Sequence, residues 1–190
     1  MKLINTPILD LWVIEPAVFS DDRGWFMESY SEKRLKDQGI EYTFVQDNHS
    51  LSMLKGTLRG LHYQAFPHAQ TKLVRCTKGA IYDVVIDLRP YSKTYLKWFG
   101  ITLNSANKKQ LLIPKGFAHG FLALEDDTEV QYKVDEIYHA PSDGSILWND
   151  PSFNIDWPIQ SPILSDKDKN APSYNALDPY TIYPGGEKKT

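Results

Sequence analysis

The sequence predicts an all-β fold, a barrel or a two-sheet β-sandwich with one or a few short helices, and three observations carry that expectation. Apolar and polar residues alternate with a period of two over several short runs. Turn-forming Gly, Pro, Asn and Asp residues separate those runs at short intervals. Aromatic residues make up 13% of the chain, a share that suits pleated core surfaces or a pocket that stacks a ring.

Along the chain, the first clear element is a helix: Ser31 is its N-cap, Glu32 to Gln38 are good helix formers, and Gly39 is the C′ stop. Strand patterns follow. In Leu58–Gln64, regular alternation puts Arg59 with Leu61 and Tyr63 on one face, and Gly60, His62 and Gln64 on the other. A bulge or a close ligand approach at Gly60 would break that parity. Lys72 leads a strand to Cys76. Ile81 to Leu88 alternates Tyr82, Val84, Ile86 and Leu88 against a face holding Asp83 and Asp87. Trp98–Leu103, Gln110–Ile113 and Glu129–Val134 read as further strands. The turns are Lys78-Gly79, Arg89-Pro90, Pro114-Lys115-Gly116 and Pro141 to Gly144. The third of these delivers His119, flanked by Ala118 and Gly120, into an apolar run. The five tryptophans are expected in core packing for the most part. The polar stretch Pro184 to Thr190 is expected to fray.

Bulk composition narrows the function classes. The 190 residues suggest one domain, 1–190, with enough chain to bury a real core. A net charge of -3 does not call for nucleic acid or an anionic membrane as partner. Cys76 is the only cysteine, so neither an intrachain disulfide nor a cysteine zinc site is available. No run approaches the roughly 20 apolar residues of a membrane span, and the first residues lack a signal-peptide pattern. A cytoplasmic setting is the expectation.

The chemistry-bearing residues are few. Taken singly, His62 and His119 read as satisfied core imidazoles, Lys72 as an edge lysine, Tyr132 as a core aromatic and Asp168 as a turn carboxylate. As a set they match the removal of a proton beside a ketone. Histidine is the side chain suited to act as base near neutral pH. A carboxylate behind it fixes its tautomer and supports the imidazolium. A cation at the ketone oxygen stabilises an enolate, and a tyrosine hydroxyl can return the proton from the other side. Arginines can grip a diphosphate through forked hydrogen bonds.

Six motifs give this set a family context: Asp22-Arg23-Gly24, Gln46 to Ser50, Leu58 to Gln64, Gly116 to Phe121, Trp148 to Pro151 and Ser165 to Asp168. In that order, from about Ile8 to about Pro172, they resemble the dTDP-4-dehydrorhamnose 3,5-epimerase family, whose fold is a cupin-type β-jelly roll. The resemblance implies His62 as base, Asp168 as its carboxylate, Tyr132 as acid and Lys72 at the ketone oxygen. It implies substrate contacts from Arg59 (diphosphate side), His119, Gln46, Asn48 and Lys167. It also implies nucleotide contacts from Arg23 and Glu28, reached across a homodimer with strand exchange, and a thymine sandwiched by Phe26 and Tyr138. Family members often carry glutamate where this chain has Asp143, one methylene shorter, which puts a direct substrate contact by Asp143 in question.

No metal and no redox cofactor are expected. Metal-binding cupins place two histidines one residue apart, whereas this chain reads His62-Tyr63-Gln64, and a glycine-rich dinucleotide fingerprint is absent. The implied activity is inversion at C-3 and C-5 of a dTDP-4-keto-6-deoxyhexose. The rivals are a single-site epimerase or a ketoisomerase of the same substrate class and, from another class, a non-catalytic sugar-binding β-sandwich, for which the acid and base residues would be dispensable.

Overall fold

A computed structural model describes residues 1–184. The expected fraying of Pro184–Thr190 falls, apart from Pro184, outside those residues. The strands are β1 (Lys2–Asn5), β2 (Trp12–Glu15), β3 (Val18–Asp21), β4 (Gly24–Met27), β5 (Gln46–Ser52), β6 (Leu58–Gln64), β7 (Lys72–Lys78), β8 (Ala80–Asp87), β9 (Trp98–Asn104), β10 (Gln110–Ile113), β11 (Phe117–Ala123), β12 (Thr128–Val134) and β13 (Asp143–Ser145). Three short helices join them: α1 (Glu32–Lys36), α2 (Asp166–Lys169) and α3 (Pro179–Ile182).

Two antiparallel sheets form the sandwich. One runs β1-β2-β10-β7-β12-β5, the other β13-β6-β11-β8-β9, and β3–β4 is a separate hairpin. The all-β class is as the sequence predicts. The expected helix is present but shorter: α1 stops at Lys36, and Gly39 at φ +80° turns the chain away. Ser31 Oγ accepts from the Arg34 amide at 3.3 Å, as an N-cap should. Strand β5, Gln46-Asp47-Asn48-His49-Ser50-Leu51-Ser52, was not legible, because it lacks apolar alternation.

Both faces of the five-stranded sheet are covered, which explains its near-continuous apolar strands. Between the sheets, Ile81, Val85, Leu103, Phe117 and Phe121 pack on Val74, Leu111, Ile113 and Val130. On the outer face, Leu58, Leu61, Val84, Ile86 and Leu122 pack on Ile146, Phe153, Trp157, Tyr174 and Ile182 of the C-terminal segment. That segment carries Asp168, so the outer cluster also holds the Asp168 side chain in place. Trp12, Trp98, Trp148 and Trp157 join the apolar clusters, whereas Trp25 on the hairpin is exposed, with Lys108 Nζ 4.1 Å from its ring centre.

Candidate active site

A cleft of about 470 Å³ is lined from both sheets. Arg59 and His62 of β6 and His119 and Phe121 of β11 face it from the five-stranded sheet. Ser50 of β5, Lys72 of β7 and Tyr132 of β12 face it from the six-stranded sheet. Ile163, Leu164, Ser165 and Asp168 complete the wall.

A bulge at Gly60 creates this grouping. Arg59 pairs with Phe121 and His62 with His119, so the step from 59 to 62 on β6 spans only the step from 121 to 119 on β11. Strict alternation would send Arg59 and His62 to opposite faces; the extra residue brings both into the cleft. Arg59 therefore does not share a face with Leu61 and Tyr63, which pack into the outer cluster instead. Gly60 sits at φ +122°, and a Cβ there would lie 2.6 Å from the Gly120 Cα and 2.8 Å from the His119 carbonyl oxygen. Only glycine permits so close an approach.

The Asp168 side chain arrives from a distant segment. Thr57 and Ile163 form a parallel bridge, with the Leu58 amide donating to the Ile163 carbonyl at 3.0 Å. Two residues on, Ser165 caps α2: its Oγ accepts from the Asp168 amide at 3.1 Å and donates to Asp168 Oδ2 at 2.8 Å. The carboxylate is only 3% exposed, so it is no surface turn residue. Its Oδ1 lies 2.6 Å from His62 Nε2. Burial alone would raise its pKa, but hydrogen bonds from His62, Ser165 and the Gly60 amide, with the His62 charge, hold the carboxyl below its usual range. With Nε2 donating to the carboxylate, the lone pair of neutral His62 resides on Nδ1.

Burial pushes the Lys72 ammonium down to about 8, against the opposing charges of Asp143 and Asp83 and with a contribution from Lys167. Burial raises the Tyr132 phenol, countered by Arg59 and assisted by Asp143, so the hydroxyl keeps its proton at neutral pH. Lys72 Nζ lies 6.0 Å from the Tyr132 ring centre. His119 Nε2 meets both oxygens of the fully buried Asp83, at 3.0 and 3.1 Å. Asp83 and Ser165 were not singled out from sequence. A carboxylate inside an apolar strand was the available signal for the first, and the Ser-x-x-Asp helix-start pattern for the second.

Gln46, Asn48, Tyr138, Asp143 and Lys167 are not among the residues that line the cleft, although Asp143 is near enough for its charge to act on Lys72 and Tyr132; its Oδ2 accepts from Lys167 Nζ at 2.6 Å and from the Tyr138 hydroxyl at 3.3 Å. Gln46 Nε2 donates to Asn48 Oδ1 at 2.8 Å, and Asn48 lies opposite Tyr132 in the β5–β12 register. Arg59 Nη2 donates to the Leu51 carbonyl at 3.0 Å. Arg23, Phe26 and Glu28 are not brought to the cleft within one chain. Arg23 and Phe26 are on the exposed hairpin, where Arg23 pairs with Asp21 at 2.6 Å, and Glu28, just beyond it, pairs with Arg34 at 2.6 Å. Among the described residues, no group of three or more His, Cys, Asp or Glu side chains is placed to hold a metal ion. Among the same residues, no helix is long and apolar enough to cross a membrane.

Comparison with known proteins shows the family and the fold. The family model described as dTDP-4-dehydrorhamnose 3,5-epimerase matches residues 5–176. The enzyme of that name from Shigella flexneri is 51% identical over 179 residues, covering 94% of this chain and 98% of its own. A crystal structure of the Bacillus anthracis str. Ames enzyme, with TDP and PPi bound, superposes with a TM-score of 0.89 at 53% identity, covering 90% of this chain and 98% of that one. A Legionella pneumophila structure in complex with dTDP-4-keto-L-rhamnose gives a TM-score of 0.90 at 44% identity, covering 95% and 96%. On the match along nearly its whole length and on the shared sandwich, the chain belongs to the dTDP-4-dehydrorhamnose 3,5-epimerase family of isomerases.

Proposed function

We propose that the chain inverts C-3 and C-5 of dTDP-4-dehydro-6-deoxy-D-glucose to give dTDP-4-dehydro-L-rhamnose, with His62 as base and Tyr132 as acid. One observation carries this reading: His62 and Tyr132 line one cleft from opposite sheets. Packed sheets are about 10 Å apart, so a sugar ring lying between them meets the imidazole on one side and the phenol on the other. His62 Nδ1 takes the proton beside the ketone, and Asp168 supports the imidazolium that forms. The Lys72 ammonium meets the enolate oxygen. A proton returned on the opposite face inverts the carbon, and Tyr132 supplies it at C-5.

Arg59, His119, Gln46, Asn48 and Lys167 are assigned to the substrate's polar groups. Asp143 serves the rim through Lys167 and Tyr138, which supports an indirect role for its shorter side chain. Arg23, Phe26 and Glu28 act on the nucleotide of a partner copy in a homodimer. The exposed aromatic hairpin supports that assignment, with Phe19, Trp25 and Phe26 at 64%, 57% and 70% exposure. A cytoplasmic setting belongs to the same reading.

The test is isotope wash-in. In deuterated water the enzyme is expected to place deuterium at both C-3 and C-5. His62→Ala should abolish exchange at both, and Tyr132→Phe should keep exchange at C-3 while losing inversion at C-5. Label at one carbon alone would make the chain a single-site epimerase, and full turnover by His62→Ala would remove the base from its role.

A further inference from the structure

Gln64 ends β6 two residues after His62, and its side chain is 7% exposed. It is not assigned to the substrate. All its hydrogen bonds go to the backbone of two loops. Nε2 donates to the His68 carbonyl and, at 3.0 Å, to the Ile137 carbonyl. Oε1 accepts from the His139 amide at 2.9 Å. Gln46 reaches the same loop from the other sheet, with its Oε1 accepting from the Tyr138 amide at 3.3 Å. The main chain on either side of Tyr138 is thus held by two glutamines, one from each sheet.

We propose that Gln64 is a positioning residue for nucleotide binding: it clamps the 137–139 backbone and so fixes the Tyr138 ring at the rim of the cleft. This rests on the reading of Tyr138 as a nucleotide-stacking side chain. The physical argument is one of satisfaction. A primary amide donates and accepts at a fixed angle and separation without carrying charge, so it can hold the Ile137 carbonyl and the His139 amide together. Removing it takes the protein partners from three part-buried main-chain groups, and the loop regains partners by moving toward water. The β6 strand itself, and His62 on it, keep their ladder bonds to β11. Substrate binding should therefore suffer while the chemistry does not.

The experiment compares Gln64→Met, Tyr138→Ala and the double variant, with turnover of the dTDP-4-keto-6-deoxy sugar and hydrogen–deuterium exchange at residues 137–139. Gln64→Met is expected to raise KM about tenfold, the scale of one unsatisfied group, with kcat within about twofold. It should also speed exchange of the His139 amide and add nothing to KM once Tyr138 is alanine. Unchanged exchange at His139 would overturn the clamp whatever the substrate is. Faster exchange with KM unmoved, a loss confined to kcat, or additive effects in the double variant would overturn the link to Tyr138. Tyr138→Ala alone tests the stacking reading separately. Should Gln64→Met fail to fold, Gln64→Glu keeps the shape and the acceptor for the His139 amide but sets an oxygen against two carbonyls. Its KM, raised at neutral pH, should fall back toward wild type as acid protonates the new carboxyl, and a pH-independent KM would count against the clamp.

Discussion

Among the residues proposed for the site, Lys72 is the one whose ionisation burial moves toward the working pH range. Its ammonium loses a proton near pH 8 because burial outweighs the attraction of Asp143 and Asp83. The working form for meeting an enolate oxygen is the protonated one. It is fully present below about 8 and lost as pH rises through that value. Since kcat/KM reports the free enzyme, its pH profile is expected to fall on the alkaline side with a midpoint near 8. Lys72→Arg, whose guanidinium stays charged throughout, should remove that limb even where it lowers the plateau. An alkaline limb unchanged in Lys72→Arg would assign it to another group. Asp168 and Tyr132 shift in the opposite sense from a liability: the first stays ionised and the second stays protonated, the forms their assigned roles need. At this scale the sequence was informative. Residue type defined the set of roles, a base, a cation, an acid and a supporting carboxylate, and the resemblance of the ordered motifs placed those roles on His62, Lys72, Tyr132 and Asp168. It could not nominate Asp83, whose meaning comes from burial beside His119.

The element that decides the site is the β6 bulge. Glycines at 60 and 120 let β6 and β11 cross within backbone contact, and that irregularity points Arg59 and His62 the same way. Gly60→Ala places a Cβ against backbone at φ +122° and is expected to destabilise the fold by about 1–3 kcal/mol and to cut kcat sharply. Denaturant titration and turnover measured together check it; wild-type values for both would show that the bulge tolerates a side chain. The C-terminal segment is a second such element. It delivers Asp168, and it is held by apolar contacts such as Phe153 on Tyr174, ring centres 5.2 Å apart. The positions of β6 to β10 and of β12 were readable because alternation and turn residues mark them, whereas β1 to β5, β11 and β13 were not read as strands. The parity of β6 was readable only as a question, since Gly60 flags a possible break without giving its direction.

The whole molecule sets the remaining requirement. Within one chain the hairpin residues Arg23 and Phe26 sit apart from the cleft, and their aromatic neighbours Phe19 and Trp25 are exposed. In the proposed homodimer, exchange of the hairpins would put one chain's Arg23 with the other's His62. Inactive His62→Ala and Arg23→Ala chains, unfolded and refolded together, are then expected to recover about a quarter of wild-type activity, because half the dimers are mixed and each mixed dimer has one intact site. Recovery at the level of the separate variants would place Arg23 and His62 in the same chain's site, or Arg23 in none.

Composition and alternation determined the β-rich class and the ordered motifs the family, because each of these is a property of residue type and local spacing; the motifs also nominated the side chains proposed to react. Which sheet each side chain approaches from, the sharing of one cleft by residues 62, 72, 132 and 168, and the glutamine brace behind Tyr138 were decided by tertiary structure alone. The reason is physical: facing depends on strand register, and register here turns on one inserted residue whose effect appears only when β6 lies against β11.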